Sequence, residues 1–405
     1  MKRYEKITPE GTKDCLFSEC AAQVDVQERL TRVFESYNYA PVMTPHLEFQ
    51  DLFLRPSAEW LSERLYHATD STGRLLALRP DNTLPIARVA STRLRNAALP
   101  LRLYTHQSVF RRSRSYSGRN DEVHQSGVEL LGAQGLRADL EILLCAVDSL
   151  RACNCPRFRL ELGHAGLFRA LADELNPDEE TRAALVRCIE TKNYPALEAL
   201  LAPYQGAAAA ALRQLPRLFG GGEIFAKAKK LFRDTKAAGA LDYLKGLYAA
   251  LEAMRLEDVI DIDLGLVHGQ DYYTGLVFRG YMEGSGVTLL SGGRYDGLLE
   301  EFGRPAAAVG FALRSEYLAE ALLASGAVPP TPPPDVLIFA PVGLEAIALM
   351  HLEARRAEGL RCELGMMDTM EEARIYARSK GIAKIAVVAG EDIIEDVEVR
   401  KEASL

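Results

Sequence analysis

An arginine-rich segment, FRRSRSYSGRNDEVHQ at residues 110–125, holds the side chains of this chain best suited to grip an anion. Guanidinium groups bind phosphates in many nucleotide and nucleic-acid sites, and four of them come from Arg111, Arg112, Arg114 and Arg119. An acidic pair, Asp121 and Glu122, stands where such a loop would close over its phosphates. The segment is therefore either a working phosphate site or the remnant of one.

The overall charge argues against nucleic acid as the main partner. The chain has 405 residues and a formal net charge of −8, whereas proteins that bind nucleic acid through charge usually present a basic surface. Its hydrophobic content of 48% and charged content of 26% are typical of soluble globular proteins. The sequence shows no apolar run of about 18 residues or signal segment, so we predict a soluble, cytoplasmic protein with no membrane contact.

Seven cysteines are scattered along the chain without the pattern of a disulfide framework. The only close pair, Cys153 and Cys155, lacks a second pair or histidines at zinc spacing. We therefore expect free thiols, no metal site and no cofactor.

The apolar pattern predicts strands and helices that alternate around the arginine-rich segment. Strands are predicted at 74–80, 101–112, 123–132, 157–163, 259–269, 273–282 and 286–293. Helices are predicted at 24–39, 83–97 and 139–153. From about 165 to 255, alanine- and leucine-rich helical patterns follow one another, which indicates a helical insertion. The order predicts one antiparallel α+β domain over residues 1–324, interrupted by that insertion.

A proline-rich stretch, SGAVPPTPPP, marks the clearest boundary in the chain. We predict a linker at 325–334, because such stretches form stiff extended connections. Beyond it, strand and helix alternate to residue 405, which predicts a small α/β domain with a largely parallel sheet.

Four stretches in a fixed order carry a resemblance to a known family. They are LRPDNT at 78–83, the segment FRRSRSYSGRNDEVHQSGVELLG at 110–132, LVHGQDYYTG at 266–275 and GGRYDGLLEEFG…AVGFAL at 292–313. Together with PEGTKD at 9–14, they resemble the histidyl-tRNA synthetases. The resemblance covers nearly the whole chain and implies a class II aminoacyl-tRNA synthetase-like fold, with a six-stranded antiparallel sheet that carries a histidine pocket and an ATP pocket.

The histidine side of this resemblance is largely intact. By resemblance the histidine-binding residues are Asp81, Thr83, Arg111, Gln125, Glu129, Tyr272, Tyr273 and Tyr295. A zwitterion requires an acid for its ammonium and a cation for its carboxylate, and an imidazole requires a polar partner. Structural roles stay open for each: Glu129 as a solvated strand residue, the tyrosines as core, and Arg111 as the partner of a neighbouring acid.

The ATP side departs from the family at five positions. The residues that stand at the nucleotide-binding or catalytic positions of the synthetase are Ser113, Asp121, Val123, His268 and Tyr317. In the third motif, the synthetase sequence GLER corresponds here to RSEY, which ends in Tyr317. One preorganised cation at a developing charge is typically worth about a hundred- to a thousandfold in rate, so we expect no adenylation and no catalytic residue.

The C-terminal tail and the lost pocket point to a regulatory paralogue. Residues 335–405 contain 14 acidic and nine basic residues, a balance that would repel tRNA. The chain resembles the regulatory subunits of ATP phosphoribosyltransferase, which implies partnership with a short-form catalytic subunit, a homodimer within a hetero-octamer and L-histidine as an inhibitory ligand. The alternatives are a divergent histidyl-tRNA synthetase and a free-standing histidine sensor.

Overall fold

The structure, a computed structural model, describes residues 6–55, 62–113, 120–155, 157–267, 273–283, 287–326, 332–390 and 394–399. The chain divides into two compact units, Met1–Val328 and Pro329–Leu405.

The strands of the first unit form two sheets. They are β1 (Ala40–Pro41), β2 (Leu47–Phe49), β3 (Tyr66–Thr69), β4 (Leu75–Leu78), β5 (Leu101–Phe110), β6 (Glu122–Leu131), β7 (Phe158–His164), β8 (Phe219–Gly220), β9 (Ile260–Asp263), β10 (Leu276–Met282), β11 (Thr288–Arg294) and β12 (Ala308–Arg314). The larger sheet has the order β1-β5-β6-β12-β11-β10-β7-β9-β8, and the smaller one has the order β2-β4-β3.

The centre of the large sheet confirms the predicted antiparallel arrangement. Each neighbouring pair from β5 through β6, β12, β11 and β10 to β7 is antiparallel. Parallel pairs occur only towards the flanks among the described strands, where β1 joins β5 and β9 joins β7. The fold is thus α+β, with six antiparallel strands at its centre.

The helices of the first unit lie around this sheet and fill the predicted insertion. They are α1 (Phe17–Ser36), α2 (Thr83–Ser91), α3 (Leu136–Ala152), α4 (Ala165–Leu175), α5 (Glu179–Glu190), α6 (Tyr194–Leu201), α7 (Ala207–Gln214), α8 (Ile224–Phe232), α9 (Ala238–Ala253) and α10 (Ser315–Ala324). The prediction for α2 was too long, because the backbone leaves helical geometry at Thr92 (φ −116°, ψ −81°). The insertion also contains β8, a two-residue strand too short to give an apolar pattern.

Alternation along β6 separates the main core from a polar face of the sheet. Successive side chains of a strand point to opposite faces. Val128 and Leu130 therefore join the large core cluster that also contains residues of α1 and α3. Gln125 and Glu129, at the alternate positions, point to the other face, where Leu131 contributes to a smaller cluster that includes residues of α2.

The second unit is a small α/β fold with one antiparallel edge. Its elements are β13 (Val336–Phe339), α11 (Glu345–Ala357), β14 (Cys362–Leu364), α12 (Met370–Lys380), β15 (Lys384–Val388) and β16 (Ile394–Glu398). The sheet order is β14-β13-β15-β16; β13 is parallel to β14 and β15, while β16 is antiparallel to β15. The largely parallel sheet was predicted, but β16 was not. Thr369 and Glu372 form a capping box that starts α12.

Candidate functional site

A polar pocket opens on the face of the large sheet opposite the main core. The space between its walls is about 450 Å³, which includes open solvent at its mouth. Its lining contains every described residue of the predicted histidine set: Asp81, Thr83, Arg111, Gln125, Glu129, Tyr273 and Tyr295. Tyr272, the remaining member, lies outside the described residues. The pocket therefore unites residues from α2, three strands and the connecting segments.

Glycines form the floor of the pocket beside Glu129. Strand register places Gly310 of β12 opposite Glu129 of β6, and Gly293 of β11 opposite Gly310. A Cβ at Gly310 would lie 1.9 Å from Oε2 of Glu129, and one at Gly293 would lie 2.7 Å from Cε1 of Tyr273. Any larger residue at either position would displace the pocket side chains, so these glycines are required by close packing.

Glu129 is a buried carboxyl group held by two hydroxyl groups. Thr83 Oγ1 donates to Oε1 of Glu129 at 2.6 Å, and the Tyr295 hydroxyl donates to Oε2. The side chain is 7% exposed. Burial raises the pKa of Glu129 to about 8, outweighing the two hydrogen bonds that lower it, and nearby Asp81 raises it further. Glu129 can therefore accept a hydrogen bond when ionised, or donate one when neutral, near physiological pH.

This raised pKa predicts a pH-dependent difference in stability between the wild type and Glu129→Gln. The folded state holds the carboxyl proton up to about pH 8, whereas an unfolded glutamate releases it near pH 4.3. Folding thus binds a proton in this interval, and the free energy of unfolding must fall as pH rises. Between pH 6 and pH 8, the wild type should lose about 2 kcal/mol relative to Glu129→Gln. Urea unfolding of the ligand-free proteins measures this; parallel pH profiles would contradict it.

Asp81 and Arg111 face each other at another wall of the pocket. Asp81 Oδ1 accepts hydrogen bonds from the backbone N–H groups of Thr83 (2.7 Å) and Leu84 (3.2 Å) at the start of α2. Its Oδ2 lies 3.6 Å from Nη2 of Arg111, and Arg111 Nε donates to the Pro80 carbonyl at 2.6 Å. The pairing of Arg111 with a neighbouring acid, left open by the sequence, is present. Both charges still line the pocket.

Six pocket residues were missed by the sequence reasoning: Ser291, Gly292, Gly310, Phe311, Ala312 and Arg314. All lie on β11 or β12, and all except Ser291 and Arg314 fall inside the stretch 292–313 that carries the family resemblance. Alternation along β12 was the available signal, because Gly310, Ala312 and Arg314 share one face of that strand. Arg314, opposite Gln125 in register, is the only charged member of this missed set.

Four residues at the nucleotide positions are described, and none of them is in the lining of this pocket: Ser113, Asp121, Val123 and Tyr317. Asp121 is buried, and its Oδ1 accepts from the backbone N–H of Ser113 (2.8 Å) and from the Ser113 hydroxyl. The Tyr66 hydroxyl donates to Oδ2 of Asp121. Burial disfavours ionisation of Asp121, but these hydrogen bonds hold its pKa below the usual value. Ser113 and Asp121 thus bind each other across the base of the arginine-rich segment.

Asp121 also contacts the PEGTKD stretch near the N-terminus. The Asp121 backbone N–H donates to the Gly11 carbonyl at 2.7 Å. Gly11 has φ +80°, and a Cβ there would lie 2.6 Å from Cγ of Asp121. The glycine is required for both reasons.

The remaining predicted positions have other surroundings. Val123 pairs with Val109 across β5 and β6. Tyr317 packs against the main core with its ring 5.7 Å from Cζ of Arg314. Arg112 Nη2 donates to the Glu63 carbonyl at 2.9 Å. His268, Arg114 and Arg119 lie outside the described residues.

Asp121→Ala should lower the free energy of unfolding by about 2 kcal/mol. The Ser113 N–H, the Ser113 hydroxyl and the Tyr66 hydroxyl would all lose their acceptor, and leaving buried donors unsatisfied costs roughly 1–3 kcal/mol. Urea unfolding at neutral pH measures the change. Glu122→Ala, at the adjacent and half-buried position, is the matched control and should change stability by less than about 0.5 kcal/mol. Equal effects of the two substitutions would refute a structural role for Asp121.

Metal-binding clusters and membrane-spanning helices are both absent from the described part of the chain. No group of three or more histidine, cysteine or acidic side chains is arranged there to hold a metal ion. None of the helices described combines the length and apolar character that spanning a bilayer requires.

Comparisons with known proteins agree with the fold described above. The family model described as Histidyl-tRNA synthetase matches residues 11–318. An ATP phosphoribosyltransferase regulatory subunit from Clostridium kluyveri is 38% identical over 94% of this chain and 99% of its own. The protein of the same name from Symbiobacterium thermophilum is 39% identical over 93% of this chain and 95% of its own.

Solved structures give the same result at the level of the fold. A crystal structure described as an ATP phosphoribosyltransferase regulatory subunit/histidyl-tRNA synthetase from Bacillus halodurans superposes with a TM-score of 0.83 at 29% identity, covering 95% of this chain and 99% of that one. Histidyl-tRNA synthetase from Nostoc sp. shares the fold, with a TM-score of 0.78 at 19% identity over 98% and 97% of the two chains. The chain belongs to the family of ATP phosphoribosyltransferase regulatory subunits, built on the fold of histidyl-tRNA synthetase.

Proposed function

We propose that this chain is a non-catalytic regulatory subunit of short-form ATP phosphoribosyltransferase, which acts at the first step of histidine biosynthesis. In this role it activates the catalytic subunit and mediates feedback inhibition by L-histidine. The observation that carries the proposal is the pocket on the polar face of the large sheet. It combines charges of both signs with a buried carboxyl group, the set that a zwitterion with an imidazole side chain requires.

The orientation of the ligand follows from the different residues on two walls of the pocket, one at Glu129 and the other at Asp81 and Arg111. Glu129, Tyr273 and Tyr295 surround the imidazole, because a carboxyl group near its pKa can match either tautomer of the ring. Asp81 and Thr83 lie within the same pocket and receive the α-amino group, while Arg111 and Gln125 meet the carboxylate. Tyr272 is assigned to the surrounding wall from the sequence pattern alone.

The lack of catalysis follows from the contacts of the nucleotide positions. Ser113 and Asp121 satisfy each other and Tyr66, so neither presents a cation or a free donor to a triphosphate. Val123 and Tyr317 cannot supply the missing charge either, because neither side chain is a cation. The chain therefore holds histidine but does not activate it, and it needs no cofactor and no tRNA.

The partner is the short-form catalytic subunit, which we expect to assemble with homodimers of this chain into a hetero-octamer. Inhibition by histidine requires only that the ligand bind the less active state more tightly. A coupling free energy of about 1–3 kcal/mol is typical of such systems.

The decisive experiment mixes this chain with a short-form catalytic subunit and measures ATP phosphoribosyltransferase activity with and without histidine. We expect activity to appear only in the mixture and to decrease as histidine is added. The catalytic subunit alone is the control for activation, and calorimetry of that subunit with histidine detects histidine that binds there. An unstimulated catalytic subunit would refute the proposed activation. Inhibition that persists in a Glu129→Ala complex would refute the proposed histidine site.

A further inference from the structure

Among the described residues that line the pocket, Arg314 is the charged residue that has no role in the proposal above. It is the last residue of β12, and it lies opposite Gln125 of β6 in register. The preceding residues of β12 on the same face are Ala308, Gly310 and Ala312. On this face of β12 the floor of the pocket is therefore made of small residues as far as Ala312. Arg314 is the first residue after them with a long side chain, which can extend over the floor.

The length of the pocket makes this position useful for a small ligand. Glu129 and Gln125 are four residues apart on β6, or about 13 Å at the usual strand rise. Gly310 and Arg314 are separated by the same interval on β12. An amino acid whose ring lies beside Glu129 is shorter than this span. A residue at the other end of the span can therefore contact the ligand carboxylate only if its side chain is long.

Arg314 brings a second positive charge to the pocket. Arg111 lies 3.6 Å from Asp81 and donates to the Pro80 carbonyl, so much of its charge is balanced within the chain. Burial favours the neutral form of Glu129 below a pH of about 8. Arg111 and Arg314 are the two arginines among the described residues of the lining, and Arg314 is the one opposite Gln125 in register.

The neighbouring tyrosine explains how the guanidinium is oriented. Cζ of Arg314 lies 5.7 Å from the centroid of the Tyr317 ring, within the range of a cation–π contact. Compared with the synthetase sequence GLER, the chain has RSEY, so an arginine stands where that motif has glycine and a tyrosine stands where it has arginine.

We propose that Arg314 binds the free carboxylate of the amino-acid ligand. Through this contact the pocket selects ligands that have an ionised carboxyl group over ligands that lack one. This inference rests on the proposed histidine site and adds its specificity-determining residue. A guanidinium forms paired hydrogen bonds with a carboxylate, which neither an alcohol nor an ester can replace. Tyr317 acts as a positioning residue for that group.

The test is calorimetry with L-histidine and L-histidinol, which differ in that histidinol has an alcohol in place of the carboxylate. The wild-type protein should bind histidine at least about tenfold more tightly than histidinol. Arg314→Gln, which keeps much of the side-chain length but removes the charge, should weaken histidine at least about tenfold and change histidinol less than about twofold. Arg314→Lys should retain part of the preference. Arg151→Ala, at an exposed arginine of α3, is the control and should change neither affinity.

The outcomes separate this inference from the proposed function. If Arg314→Gln weakens both ligands equally, or neither, while the wild type binds histidine, Arg314 does not read the carboxylate and only this inference fails. The Arg314→Lys variant keeps the positive charge. If its affinity for histidine is close to that of the wild type and its affinity for histidinol is close to that of Arg314→Gln, the charge assignment is supported. If the wild type binds no histidine, alone or with the catalytic subunit, the proposed site itself is wrong.

Discussion

Glu129→Ala is expected to abolish measurable histidine binding, with a loss of at least about a hundredfold in affinity. The carboxyl group is buried at the floor of the pocket, where Thr83 and Tyr295 donate to its two oxygens. In the proposed site, removing it takes away the polar partner of the imidazole, and it also removes the acceptor of these two hydroxyl groups. Such unsatisfied groups in a desolvated site cost more than the lost contact alone.

Isothermal titration calorimetry with L-histidine measures this loss, for the chain alone and in complex with the catalytic subunit. Glu122→Gln is the control, because Glu122 lies on the same strand but outside the pocket lining. Circular dichroism should show that the Glu129→Ala protein is folded. Histidine affinity within about threefold of the wild type would show that Glu129 does not contact the ligand.

Histidine-dependent ATP–pyrophosphate exchange is expected to stay at background, at least about ten-thousandfold below an active synthetase. Each missing cation at a developing phosphate charge typically removes about a hundred- to a thousandfold in rate, although such losses do not add fully. Asp121 is a further obstacle to ATP binding, through contacts that the sequence did not indicate. It joins Ser113, Tyr66 and Gly11, and thereby closes the base of the segment that would have to hold the nucleotide.

The exchange assay requires two controls run in parallel. An active histidyl-tRNA synthetase shows that the conditions support exchange, and calorimetry on the same preparation shows that the chain binds histidine. Exchange that depends on histidine and exceeds background by a factor above about ten would identify a divergent synthetase. The proposed regulatory role would then be wrong.

The alternation of residues along the strands explains why most of the pocket could be predicted. Gln125 and Glu129 lie on one strand at even spacing, so both must point to the same face of the sheet. Asp81 and Thr83 stand at the start of a helix, where a carboxylate caps the free N–H groups. These are local rules, and the family pattern supplied the pairing of distant segments.

Contacts between distant segments could not be predicted in the same way. Tyr295 and Glu129 are 166 residues apart, and their hydrogen bond depends on the register of β6 with β12 and of β12 with β11. The same register brings Arg314 opposite Gln125. The sequence also placed the end of α2 too late, because its apolar pattern continues after the backbone has turned at Thr92.

By itself, the sequence determined the fold class, the segments that carry the pocket and the identity of most of its polar residues. Apolar periodicity, helix capping and sequence motifs are properties of short stretches of the chain. They do not depend on contacts between distant segments. Only the tertiary structure decided which charges are balanced within the chain: Arg111 against Asp81, and Asp121 against the donors of Ser113 and Tyr66. It also raised the pKa of Glu129 and brought Arg314 into the pocket. The physical reason is that burial and charge balance depend on neighbours supplied by other elements, and no spacing along one strand specifies them.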